Sequence, residues 1–148
     1  MKTALLSSLL IAFLSIQTAF AQHSDVFSID GKAIRGYDPV AYFTDGQAVK
    51  GDSTLTYAYE GTTWQFASKE HLDAFKANPA KYMPQYGGYC AYGTAGGHKS
   101  PTQPDAWTID NGKLYLNYND KVRTKWNTDR PGYIEKADQN WPKLKAAQ

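Results

Sequence analysis

The chain has 148 residues, 16 of them basic and 14 acidic, for a formal net charge of +2. That field is too weak to recruit nucleic acid or an anionic membrane surface. Aromatic residues make up 14% of the chain, which excludes an intrinsically disordered segment and leaves one folded domain as the expectation. With a single cysteine, Cys90, the chain has no intramolecular disulfide, zinc ribbon or four-cysteine cluster.

Residues 1–21 read as a signal peptide. Lys2 supplies the positive start, Ala4 to Phe20 is mostly apolar, and Ala19-Phe20-Ala21 fits a small-x-small cleavage site. Cleavage there leaves residues 22–148 as one exported domain with a C-terminal extension, secreted or, in a Gram-negative host, periplasmic. The apolar run is short and interrupted by Ser and Gln, so no membrane span is expected after cleavage.

The elements then follow in order. Val26 to Ile29, a turn at Asp30-Gly31, and Ala33 to Tyr37 read as a short hairpin. Asp38-Pro39 breaks it, and Val40 to Phe43 reads as a further extended piece. Leu55 to Tyr59 alternates at period two, Glu60-Gly61 turns the chain, and Thr63 to Ala67 returns. Ser68 suits an N-cap for a helix burying Leu72, Ala74 and Phe75. Asn78-Pro79 opens a second short helix leading to Tyr82, Met83 and Tyr86.

Tyr86 to Ser100 carries five glycines in fifteen residues, which argues against regular helix. Beyond it, Trp107 to Ile109 and Lys113 to Tyr118 flank Asp110-Asn111-Gly112 as a hairpin. Asn119-Asp120 caps a helix through Val122 and Trp126. Pro131 opens a last helix carrying Tyr133, Ile134 and Ala137 and ending near Trp141-Pro142. Strands followed by segregated helices predict an α+β fold: a small antiparallel sheet of hairpins with short helices packed against it.

The segment Arg35-Gly36-Tyr37-Asp38-Pro39-Val40-Ala41-Tyr42-Phe43 opens a recognisable pattern. Tyr59-Glu60-Gly61-Thr62-Thr63-Trp64-Gln65-Phe66-Ala67-Ser68, then His71, Phe75, Asn78-Pro79 and Tyr82, continue it. Over about Ile34 to Tyr86 the chain resembles a YHS domain, and its remainder resembles the secreted single-domain branch of that family. The resemblance implies soft-metal handling through Asp-Pro-Val-Cys and Phe-Cys-Ser-x-x-Cys. Here the three thiol positions hold Ala41, Ala67 and His71, so only His71 survives as a ligand.

The remaining candidates come from the residues themselves. The leading reading is an exported domain that binds a soft transition metal, copper first, through Cys90 with His71, His98 and Met83. A depressed thiol pKa would be needed, and His98 and Lys99 lie close enough in sequence to supply it. Met83 precedes Cys90, the reverse of the order in a blue-copper loop. His23, near the mature N-terminus, is a separate candidate Cu(II) chelator. The alternative is a non-catalytic small-ligand or protein-binding module built on the aromatic loop, with Tyr86, Tyr89 and Tyr92 as contacts. A cysteine-dependent enzyme is the third reading, although no nucleophile-elbow, zinc-protease or dinucleotide motif occurs.

Overall fold

The computed structural model describes residues 25–147. The expected signal peptide, its cleavage site and His23 lie outside the described residues.

Three two-residue turns set the strands. Asp30-Gly31, Glu60-Gly61 and Asn111-Gly112 all have both central φ angles positive, between 49° and 73°. That is the type I′ conformation, whose twist matches the strands it joins. The first turn links β1 (Ser28–Ile29) to β2 (Lys32–Ala33). The second links β3 (Asp52–Tyr59) to β4 (Thr62–Phe66), and the third links β5 (Trp107–Asp110) to β6 (Lys113–Leu116).

The strands form a four-stranded sheet in the order β1-β2-β4-β3, with β5-β6 standing as a separate pair. The α+β class is as expected, but the larger sheet is mixed rather than antiparallel: β2 meets β4 in parallel at Lys32↔Thr63. That parallel contact follows from the shortness of β2. Ile34 and Arg35 turn left-handed, with φ of 49° and 53°, so Ala33 to Tyr37 does not continue as a strand.

Among the described residues, six α-helices surround the strands. They are α1 (Ala41–Thr44), α2 (Lys69–Ala77), α3 (Pro79–Tyr82), α4 (Ala91–Ala95), α5 (Asp120–Asn127) and α6 (Arg130–Ala146). Three of them correct the sequence reading. Val40 to Phe43 is not extended, because the Asp38 carboxylate accepts from the Val40 and Ala41 N–H groups and starts a helical turn. The glycine-rich segment does contain one helix, α4, which fits between its glycines with Cys90 at the N-cap. The last helix passes Pro142 and runs one turn further, held by Trp141 against Tyr86 and Tyr89 and by Lys145 near Asp25. Among the described residues, no helix is long and apolar enough to cross a membrane.

Two cores result, and β6 separates them. Side chains alternate across a strand. Leu114 and Leu116 therefore join a core built on Trp64, Phe66 and Phe75, all fully buried. Tyr115, between them, faces a second core of Tyr86, Ala91, Trp126 and Ala137. Ser68 caps α2 by accepting from the His71 N–H at 3.2 Å, and Asn119 caps α5 by accepting from Val122 at 2.9 Å.

Candidate functional site

Asp38 is the polar centre of the first core. The residue is fully buried, yet its carboxylate accepts four hydrogen bonds. Oδ1 accepts from the N–H of Val40 at 2.8 Å and of Ala41 at 3.3 Å. Oδ2 accepts from the Ala67 N–H at 2.9 Å and from His71 Nδ1 at 2.5 Å. A buried carboxylate needs this many donors to offset its lost hydration. Pro39 supplies no N–H, so the chain turns past it and presents the next two amides to the same oxygen.

Ala41, Ala67 and His71 are the positions at which the resemblance implies thiolates. The fold gathers all three around Asp38: two through backbone amides, the third through an imidazole. The two alanines offer methyl groups where soft donors would be needed, so a thiolate-held soft metal does not fit this position.

His71 differs from the alanines because its second ring nitrogen, Nε2, faces the surface and meets Thr44 and Asp45. Its side chain is 17% exposed. With Nδ1 donating to Asp38, Nε2 turns to the surface beside α1. Thr44 Oγ1 lies 3.1 Å from Nε2, and Asp45 Oδ1 lies 3.9 Å from it. Thr44 Oγ1 and Asp45 Oδ1 are 2.9 Å apart. One nitrogen and two oxygens thus form a small open triangle, backed by a carboxylate that fixes the ring.

The other sequence candidates lie elsewhere. Cys90 is 1% exposed and caps α4. Its Sγ accepts from the Gly93 N–H at 3.4 Å and donates to Asn117 Oδ1 at 3.4 Å. Burial pushes the thiol pKa up, against the opposing pull of the Gly93, Tyr118 and Tyr92 amides. The depressed pKa that a reactive thiolate requires is therefore absent. The His98 ring lies over Gly93 and Gly96 and makes no hydrogen bond or ion pair with a described residue. Met83 is half-buried against the first core. Among the described residues, no group of three or more His, Cys, Asp or Glu side chains is placed to hold a metal, so Cys90, His71 and His98 do not form one.

The loop tyrosines chiefly pin α6. Tyr86 donates to Asp138 at 2.9 Å and packs against Trp141 at 6.1 Å. Burial first, and Asp138 second, push its phenol far above the ordinary range. Tyr89 meets Trp141 at 6.2 Å, and Tyr92 meets Tyr133 at 5.1 Å.

Reading the sequence missed Asp38, Thr44, Asp45 and Asn117 as partners. A signal for Asp38 was present: an acidic residue two positions before a potential helix start is a capping group. Its long-range bonds to Ala67 and His71 leave no local trace.

The YHS domain family model matches residues 40–86. That stretch contains Ala41, Thr44, Asp45, Ala67 and His71, while Asp38 stands just before it. Neither the curated proteins nor the solved structures include a significant match to the chain.

Proposed function

We propose that this chain, which carries a YHS domain over residues 40–86, binds a divalent transition-metal ion at the surface corner made by His71, Thr44 and Asp45. The donor set is imidazole nitrogen with hydroxyl and carboxylate oxygen. Such a set suits Cu(II) or Zn(II) and disfavours the Cu(I) that thiolates hold. Export through the segment before Gln22 would deliver the site to an oxidising compartment, where Cu(II) persists.

One observation carries this reading: His71 Nδ1 is clamped by a carboxylate that three backbone amides already hold in place. Metal-binding histidines are commonly oriented in this way, with the second ring nitrogen left as the donor. The spacing is compatible. Donors each ~2.1 Å from a shared ion stand roughly 3 to 4 Å apart. The three separations here run from 2.9 to 3.9 Å. Water would complete the coordination on the open side.

Calorimetric titration with Zn(II), in a His23→Ala background to silence the N-terminal chelator, tests this. One ion should bind. His71→Ala should abolish binding, and Asp45→Asn should weaken it by about tenfold. Cys90→Ser should leave it unchanged. Binding that survives His71→Ala would place the site elsewhere, and binding that disappears with Cys90→Ser would move it to the thiol; either result sinks the proposal.

A further inference from the structure

A cleft of about 280 Å³ opens on another face, where the first described residues, the β3–β4 turn and α6 meet. It shares no residue with the His71 corner. Trp141 and Tyr86 form two of its walls, their rings 6.1 Å apart and inclined at 65°, with Met83 beside them. Asp25, Glu60 and Lys145 stand on the lining as charged groups.

The walls are held rigidly. The Tyr86 hydroxyl donates to Asp138 of α6 at 2.9 Å. Tyr86, Gly87 and Gly88 all have positive φ, at 57°, 62° and 83°. At Gly87 a glycine is obligatory, because a Cβ there would meet the Asp25 carbonyl at 1.9 Å. The Gly87 carbonyl also accepts from the Phe27 N–H at 2.8 Å, which fixes the segment that carries Asp25. A bulky residue in left-handed backbone at a cleft wall is strain of the kind that functional sites retain.

The charges are less fixed. Lys145 Nζ lies 3.8 Å from Asp25 Oδ2, with side chains 55% and 41% exposed. A pair so long and so exposed contributes little, so opening it to admit new partners costs little. An ammonium and a carboxylate thus stand side by side on the lining that also carries the aromatic corner.

We propose that this cleft binds a small zwitterion with an apolar or aromatic group, the chemistry of a free hydrophobic amino acid. The ligand carboxylate pairs with Lys145 and its ammonium with Asp25, exchanging one ion pair for two. Its side chain fills the corner between Trp141 and Tyr86, where an aromatic surface rewards an apolar group.

The probe is L-phenylalanine, added to the full chain and followed by NMR at the Trp141 indole and by calorimetry. Phenethylamine and 3-phenylpropionate, each lacking one charge, are the controls. Phenylalanine should bind saturably, shift the Trp141 indole resonance, and bind about tenfold more tightly than either control. Lys145→Glu and Asp25→Lys alter exposed side chains, so both should fold, and each should weaken binding by about tenfold. His71→Ala should not affect it, which separates this site from the metal corner. An indole resonance that does not move, binding unaltered by both charge reversals, or equal binding of phenethylamine would overturn the proposal.

Discussion

The two cores on either side of β6 handle buried polarity in opposite ways. In the first, the buried carboxylate of Asp38 is fully partnered, and the Trp64 indole donates to the Tyr59 carbonyl at 3.0 Å. In the second, Asn117 and Trp126 are fully buried, yet Asn117 Nδ2 and Trp126 Nε1 find no acceptor among the described residues. Both cores are rich in rings, so aromatic packing does not distinguish them. The difference is that the second core, despite bonds such as Tyr86 to Asp138 and Cys90 to Asn117, leaves two buried donors unpaired. A buried donor without a partner costs about 1–3 kcal/mol. The second core tolerates two such donors, whereas the Asp38 carboxylate and the Trp64 indole of the first are both partnered.

The largest expected effect comes from removing the hub of the first core. Asp38→Ala strips the acceptor from three amides and leaves the His71 ring without its clamp. It should lower stability by about 3–5 kcal/mol, the loss typical of breaking a buried pair from one side. The denaturant midpoint measures this. A loss below about 1 kcal/mol would mean that packing alone specifies the first core.

Cys90 gives the matching probe of the second core. Cys90→Ala removes the acceptor of the Gly93 N–H and a donor to Asn117 Oδ1, and should cost about 1–3 kcal/mol. Cys90→Ser should cost less, because a hydroxyl can still donate to Asn117 and accept from Gly93. The thiol should also resist alkylation near neutral pH until the chain unfolds, since it is buried and its pKa is raised. Rapid alkylation of the folded protein would show an open, activated thiol and revive the reading of Cys90 as a reactive group.

How much of this was legible in the sequence follows from the range of the forces involved. The I′ turns, the Ser68 and Asn119 caps and the alternation of β3 with β4 are local, and each was visible in a few adjacent residues. Trp64 and Phe66, two apart on β4, are both fully buried. The parallel contact of β2 with β4 was not legible, because it depends on two left-handed residues at Ile34 and Arg35, where a β-branched side chain is disfavoured. The candidate site was half legible. His71 stood out by elimination among the thiol positions, but its partners Asp38, Thr44 and Asp45 lie 26 to 33 residues away and meet it only in the folded chain. Cys90 drew attention as the sole thiol, and its burial against Asn117 depends on a contact 27 residues distant.

The helix caps offer a smaller, symmetric test. Ser68→Ala in the first half and Asn119→Ala in the second each leave one helix amide unpaired, and each should cost about 1 kcal/mol. Equal losses, read from denaturation midpoints, would place the difference between the halves in their interiors. A Ser68→Ala loss several times that of Asn119→Ala would instead tie the first cap to the Asp38 hub through His71.

The sharpest contrast makes the same substitution in both cores. Trp64 and Trp126 are each fully buried, and each packs against another ring, Phe75 at 5.0 Å and Tyr115 at 5.2 Å. Replacing either by Phe removes a similar volume and one N–H donor, so the cavity penalty is similar on both sides. The donors are not alike. Trp64 Nε1 is bonded, so Trp64→Phe also leaves the Tyr59 carbonyl short of a partner. Trp126 Nε1 is an orphan, so Trp126→Phe removes a group whose burial was already unfavourable. That relief offsets the cavity, and Trp126→Phe should change stability by less than about 1 kcal/mol, with Trp64→Phe costing about 1–3 kcal/mol more. Chemical denaturation of the two single variants measures the gap directly. Equal losses would show that Trp126 Nε1 has found a partner in solution, a buried water being the simplest one, and the second core would then be as well satisfied as the first.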